Sequence, residues 1–173
     1  TNADSYIGTL GRGVLGISNG TFYSKNLFVG YNPGSSGQIN LFGGTSTVAG
    51  LLYLGRTSTA TGSVLIAGGT LTVPNGDAFV GHDGRGVLTV SNGTFQTRDW
   101  YVGYKAGASG QIDLFGGTSV VKNVSIGSFA GATGSVLVDG GTLFLTNSTM
   151  TVGNSGNGTL TVNSGTLQSK DLT

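Results

Sequence analysis

Residues 37–46 read GQINLFGGTS, and residues 110–119 read GQIDLFGGTS. One position differs, Asn40 against Asp113, across a distance of 73 residues. That distance contains a shorter period. The dipeptide Gly-Thr begins at Gly20, Gly44, Gly69, Gly93, Gly117, Gly141 and Gly165, at spacings of 24 or 25 residues. Seven units of about 24 residues therefore tile the chain, and periods in this range mark solenoids and arrays.

Each unit can be numbered from its Gly as position 0. Position −7 is Gly throughout, from Gly13 to Gly158. Positions −5 and −3 are always aliphatic, as in Leu15 and Ile17, Leu88 and Val90, or Val136 and Val138. Position −4 between them is mixed, with Gly16, Asn40 and Thr89 among its residues. This alternation describes a strand with one buried face. Position +1 is always Thr, and the mostly apolar positions +2 and +4 make a second strand, as in Leu143-Phe144-Leu145. A third strand precedes a corner glycine, as in Phe28-Val29-Gly30 and Phe79-Val80-Gly81.

The expected fold is all-β: one parallel β-solenoid of seven turns with three short strands per turn. Each strand pairs with its copy in the next turn, so the aliphatic columns merge into a core that no single turn could form. Parallel crossovers are overwhelmingly right-handed, which predicts a right-handed β-helix. The whole chain, 1–173, reads as one domain. Units one and four share SNGTF, and units three and six share GSVL, which divides the domain into three-turn cassettes at about 6–77 and 78–149 plus a final turn at 150–173. The loop from the corner glycine to position −7 has lengths of 5, 7, 7, 5, 7, 7 and 5 residues in the seven units.

Composition agrees. There are 34 Gly and 2 Pro, no Cys, and only 8 basic and 7 acidic residues, all of the acids Asp. Abundant Gly and the lack of Glu disfavour helices, while Val, Ile, Thr, Phe and Tyr favour strands. A formal net charge of +1 carries no electrostatic footprint for nucleic acid. No apolar run approaches the roughly 18 residues of a membrane helix, so no membrane insertion is expected. The start TNADSYIG has no signal-peptide pattern, as expected of a mature or excised segment. No cofactor and no metal site are expected; without Cys, thiolate sites are excluded.

Candidate functional residues lie on outward columns. Tyr6, Phe28, Tyr53, Phe79 and Tyr101 each precede an inward aliphatic residue, so alternation turns five aromatic rings outward on consecutive turns. They can serve as an intramolecular ladder or as an exposed stripe for sugar rings or another chain. Phe42 and Phe115 are further outward aromatics in the two near-identical units. Lys25, Arg98, Lys122 and Lys170 form a broken basic line at position +5, a solvated face or an attraction for an anionic glycan. Position +6, mostly Asn or Asp, reads as a structural corner. The Thr column at +1 suits an ice-binding file only if a second regular file accompanies it, and position +3 is irregular. Trp100 aligns with Leu27 and Val124 and reads as core.

A catalytic arrangement is hard to find. The sole histidine, His82, lies beside Asp83 in GHDGRG (81–86), and sequence neighbours do not make a dyad. Asp113 and Asp139 fall one turn apart but two positions out of register. The columns predict a non-enzymatic structural or adhesive role, contacting a glycan or a surface protein. A self-assembling filament, a polysaccharide-active β-helix enzyme and an ice-binding solenoid are the competing classes. Self-association would use the ends or the aromatic stripe, because solenoid edges without caps pair with other chains.

The stretches VGNSGNGTLTVNSGTL (152–167) and VGHDGRGVLTVSNGTF (80–95) resemble a repeat of bacterial autotransporter passengers and of proteins with PEP-CTERM sorting signals. The resemblance extends over all seven units, with two extra loop residues in units two, three, five and six. It implies secretion, a place on the bacterial surface or in an extracellular matrix, and commonly an adhesive role. It carries no catalytic residues.

Overall fold

A computed structural model describes residues 3–169. Among them there is no helix, and every strand pairing is parallel between one turn and the next. The chain is a β-solenoid of about seven turns. At a strand spacing of about 4.8 Å, seven turns extend roughly 34 Å along the axis.

Three stacks of strands form the wall. The central stack holds the −5 and −3 positions: Arg12–Ile17, Ser36–Leu41, Thr61–Ile66, Arg85–Val90, Ser109–Leu114, Thr133–Val138 and Asn157–Val162, joined as one 7-stranded sheet. Its register follows the repeat residue for residue: Gly86 pairs with Gly62 and Gly110, and Val90 with Ile66 and Leu114. A second stack begins at the Thr column with Thr21–Ser24, Thr45–Val48, Thr70–Val73 and Thr94–Thr97. The third precedes the corner glycines: Ser5–Ile7, Leu27–Val29, Leu52–Leu54, Ala78–Val80 and Asp99–Val102. Three short strands per turn hold through the first four turns. Beyond them the second and third stacks fuse, as Thr118–Ile126 and Thr142–Val152 each run unbroken across a corner. A register shift between Val121 and Asn123 absorbs the bend as a bulge, so pairing continues where earlier turns break it.

The inward columns close a single core. Leu41, Ile66, Leu88, Val90, Ile112, Leu114 and Val138 are buried, facing Val29, Leu54, Val80, Val102 and Ile126 from the third stack. Trp100 is buried, as expected from its alignment, and stacks on Phe95 at 5.7 Å between ring centroids. Among the described residues three buried side-chain polar atoms have no partner: the Oγ atoms of Ser46 and Ser119 and the indole Nε1 of Trp100. The two serines occupy the inward +2 position, which is Phe22, Leu71, Phe95 or Leu143 in four other turns. Serine there leaves room beside the large rings of the preceding turn, at the cost of an unsatisfied hydroxyl.

The corners are as regular as the strands. The N–H of Gly30, Gly55, Gly81 and Gly103 each donates to a carbonyl of the turn before, all at 2.9 Å. The outward surface is thus fixed by backbone bonding from turn to turn, and side-chain columns inherit that rigidity.

Candidate functional site

The five aromatic residues stack as their spacing predicts. Ring centroids along Tyr6, Phe28, Tyr53, Phe79 and Tyr101 are 4.9, 5.2, 5.0 and 4.9 Å apart, with planes within 12° of parallel. Strand spacing sets the separation, and it matches the offset stacking that aromatic pairs prefer. The expected bare stripe needs correction, however. Phe79 is only 9 % exposed, Phe28, Tyr53 and Tyr101 are half-buried, and only Tyr6 is freely exposed.

A second column covers the ladder. It starts from the residue after each corner glycine: Tyr31, Arg56, His82 and Tyr104. The chain turns sharply at each glycine and folds the next side chain back over the rings. Tyr31 meets Tyr6 and Phe28 edge-on, and His82 meets Tyr53 and Phe79 edge-on. Tyr104 packs the same way on Phe79 and Tyr101, and Phe129 on Tyr104 at 5.1 Å. The Arg56 guanidinium lies over the Tyr53 ring at 4.9 Å, a cation–π contact. Sequence columns missed this layer because its residue types change from turn to turn. The signal was present in Gly30-Tyr31, Gly81-His82 and Gly103-Tyr104.

His82 is buried in this layer. Its Nδ1 lies 3.1 Å from the Arg56 carbonyl oxygen and 3.3 Å from the Arg56 Nη1. Burial, reinforced by the Arg56 guanidinium, pulls its pKa down to about 4. Burial raises the pKa of Tyr53 and Tyr101. The folded chain therefore binds fewer protons at His82 than the unfolded chain between about pH 6.5 and 4. Stability contributed by the neutral ring is complete above pH 6.5 and is lost as pH falls toward 4. We expect wild type to lose on the order of 1 kcal/mol across that window relative to His82→Tyr, which places at turn four the residue of turns two and five. Thermal melts of both proteins at pH 7 and 4.5 check this; parallel losses would sink it.

The basic line at +5 does not hold together. Arg98 is bound to Asp77, Nε to Oδ1 at 2.9 Å and Nη2 to Oδ2 at 3.0 Å, with Asp99 at 3.6 Å. Lys25 and Lys122 are exposed, and Lys170 lies outside the described residues. The Asn/Asp column is a structural corner: Asn123 Nδ2 donates to Asp99 Oδ1 at 2.7 Å, and Asn147 Nδ2 to Asn123 Oδ1 at 3.0 Å. Phe42 and Phe115 are exposed just past the ends of the central-sheet strands Ser36–Leu41 and Ser109–Leu114, three turns apart.

The two carboxylates weighed for catalysis are engaged separately. Asp113 accepts from Gln111 Nε2 at 2.8 Å, and Asp139 accepts from Ser164 Oγ at 2.6 Å. Among the described residues no three His, Asp or Glu side chains gather where they could hold a metal ion. No helix among them is long and apolar enough to cross a membrane.

What remains is a continuous aromatic face along the corner loops. Its outermost ring, Phe129, borders a surface hollow of about 400 Å³ lined also by Asp83, Tyr104, Lys105 and Ala106. An exposed ring beside a carboxylate, an ammonium and a phenol offers stacking and hydrogen bonding together. Comparison with protein-family models, with curated proteins and with solved structures finds no match to this chain.

Proposed function

We propose that this chain is a non-catalytic structural and adhesive segment of a secreted bacterial surface protein, contacting a glycan or another protein through its corner-loop face. The observation that carries this reading is the double aromatic column along the axis. Rings locked by their neighbours lose little entropy on binding, which suits them as anchors. The backbone of each corner is tied to the turn before it, so the face is preformed. The likeness of 80–95 and 152–167 to autotransporter-passenger and PEP-CTERM-associated repeats supports secretion and surface display.

The test is a glycan array probed with the purified chain, run beside an assay for new reducing ends or unsaturated products. The expected result is retention on a subset of glycans without turnover. Turnover abolished by Asp113→Asn or Asp139→Asn would overturn the reading in favour of a polysaccharide-active enzyme. Because Phe79 is buried, its replacement reports on folding; Tyr6 and Phe129 are the rings whose removal reports on contact.

A further inference from the structure

The loop lengths create a feature that no single column shows. Turn four has a five-residue corner loop, 81–85, between the seven-residue loops 55–61 and 103–109. A short loop between two long ones leaves a notch. Asp83, Gly84 and Arg85 form its floor, Ser58 and Thr59 stand on one side, Ala106 and Gly107 on the other, and its volume is about 360 Å³. Asp83 and Ala106 also line the hollow under Tyr104, Lys105 and Phe129, so notch and hollow make one trough across the corner loops.

Charge on this edge is uneven. The seven corner loops carry Arg12, Arg56, Arg85 and Lys105 against the single carboxylate of Asp83, although the chain's formal net charge is only +1. Arg85 and Lys105 are exposed, and neither joins an ion pair among the described residues. Hydroxyls of Ser58, Thr61 and Ser109 border the notch, and Phe129, 51 % exposed, ends the trough. Thr59 on the wall is the one described non-glycine residue with positive φ, at 62°, where the three other long loops have Gly34, Gly107 and Gly131. A β-branched residue is strained in that conformation. Its Oγ1 accepts a hydrogen bond from the Gly34 N–H at 3.0 Å, which fixes the lip of the notch.

We propose that this trough binds an anionic saccharide, one bearing carboxylate or sulfate groups. The apolar face of a sugar ring rests on Phe129 beside Tyr104, and Lys105 and Arg85 hold the anion. The proposal rests on the glycan-contact reading above and gives it a site and a ligand class. Cations with an aromatic platform and a hydroxyl rim match such a ligand, and complementary charge discriminates it from neutral sugars. The spacing rule adds a geometric consequence. Short loops recur every third turn, about 14 Å apart along the axis, and among the described residues only that of turn four stands between two long loops, so the trough is a single site.

Calorimetry tests this with four probes of similar length: a hexa-galacturonate, a sulfated hexasaccharide, a neutral cello-hexaose and a hexanucleotide. One or both anionic saccharides should bind at least tenfold tighter than the neutral one. The double variant Arg85→Gln/Lys105→Gln should lose at least tenfold in affinity, and Phe129→Ala should weaken binding as well. A second design keeps the turn foldable: replacing 81–85 by a copy of 103–109 fills the notch with a loop the solenoid already accommodates. It should melt like wild type and lose anionic binding. Anionic binding that survives the graft and the double variant overturns this site alone and leaves the adhesive reading standing. Equal affinity for the neutral hexasaccharide, or tighter binding of the hexanucleotide, overturns the ligand class. No binding of any saccharide removes the glycan-contact reading together with the site.

Discussion

Gly81→Ala should lower the melting temperature by about 10 °C, while Gly16→Ala should shift it by no more than about 2 °C. Gly81 sits at φ 74°, in the left-handed region where an L side chain costs roughly 1–2 kcal/mol. Space is the larger problem. A Cβ on Gly81 would press into the backbone carbonyl of Ser109 in the next turn, and that carbonyl cannot swing away as a side-chain tip could. Gly86 meets the Gly81 backbone from the same turn, so the corner is a backbone-to-backbone contact on two sides. Strain and clash together should cost about 3–5 kcal/mol, in the range reserved for special backbone positions. A Cβ on Gly16 meets nothing within 4 Å, and its φ is not positive. Alanine there even removes some unfolded-state entropy. Equal melting shifts for the two variants would mean that the corner can re-form without its glycine.

Close backbone contacts at the corners make much of the fold legible from residue types. Glycine seven residues before each Gly-Thr, and at nearly every corner that opens a loop, is required by backbone contact within and between turns, so the period survives wherever the coil survives. Inward aliphatics repeat for the same reason: Val90 must fit between Ile66 and Leu114. Even Trp100 follows the rule once its column is known. The fused strands at 118–126 and 142–152 were less legible, because 21–29 and 94–102 also lack Gly and Pro yet break, so residue types do not separate a bulge from a break.

The candidate site was legible only in part. The ladder from Tyr6 to Tyr101 was readable because one strand position carries it. Its cover was not, since Tyr31, Arg56, His82 and Tyr104 share a place but not a chemistry. Phe129 comes two residues after its corner glycine and falls out of any column. Arg98 belonged to a plausible basic line until its partner was placed: Asp77 lies 21 residues earlier, short of a full turn, where column reading does not look. The 5-7-7 loop series was visible as a string of numbers, but a notch is a relation between three neighbouring loops and exists only when they stand side by side.

The sharpest test of the column register uses one substitution at two depths. Val90→Asp should cost at least about 4 kcal/mol, whereas Val162→Asp should cost less than about 1 kcal/mol. Both valines occupy position −3 of the central sheet, and both point to the same side of it. Val90 is 0 % exposed, enclosed by the turns before and after; Val162, in the last described strand of that stack, is 42 % exposed. A carboxylate at 90 must either stay charged without a partner or bind a proton, and each alternative is costly in an apolar core. At 162 water reaches the carboxylate directly. Thr89→Lys completes the comparison. Thr89 neighbours Val90 in sequence but faces outward, and its pairing partner in the next turn is Asp113, so a lysine there gains an opposite charge and should leave stability unchanged within about 0.5 kcal/mol. The position of turn four amplifies the damage. A solenoid is held by intrinsic turn energies and nearest-neighbour interfaces, so a failed central turn loses two interfaces at once and uncouples three turns on each side. Val90→Asp should therefore unfold in two poorly cooperative steps in denaturant, and limited proteolysis should cut first within 78–97. A single cooperative transition at the wild-type midpoint would show that Val90 does not face the core.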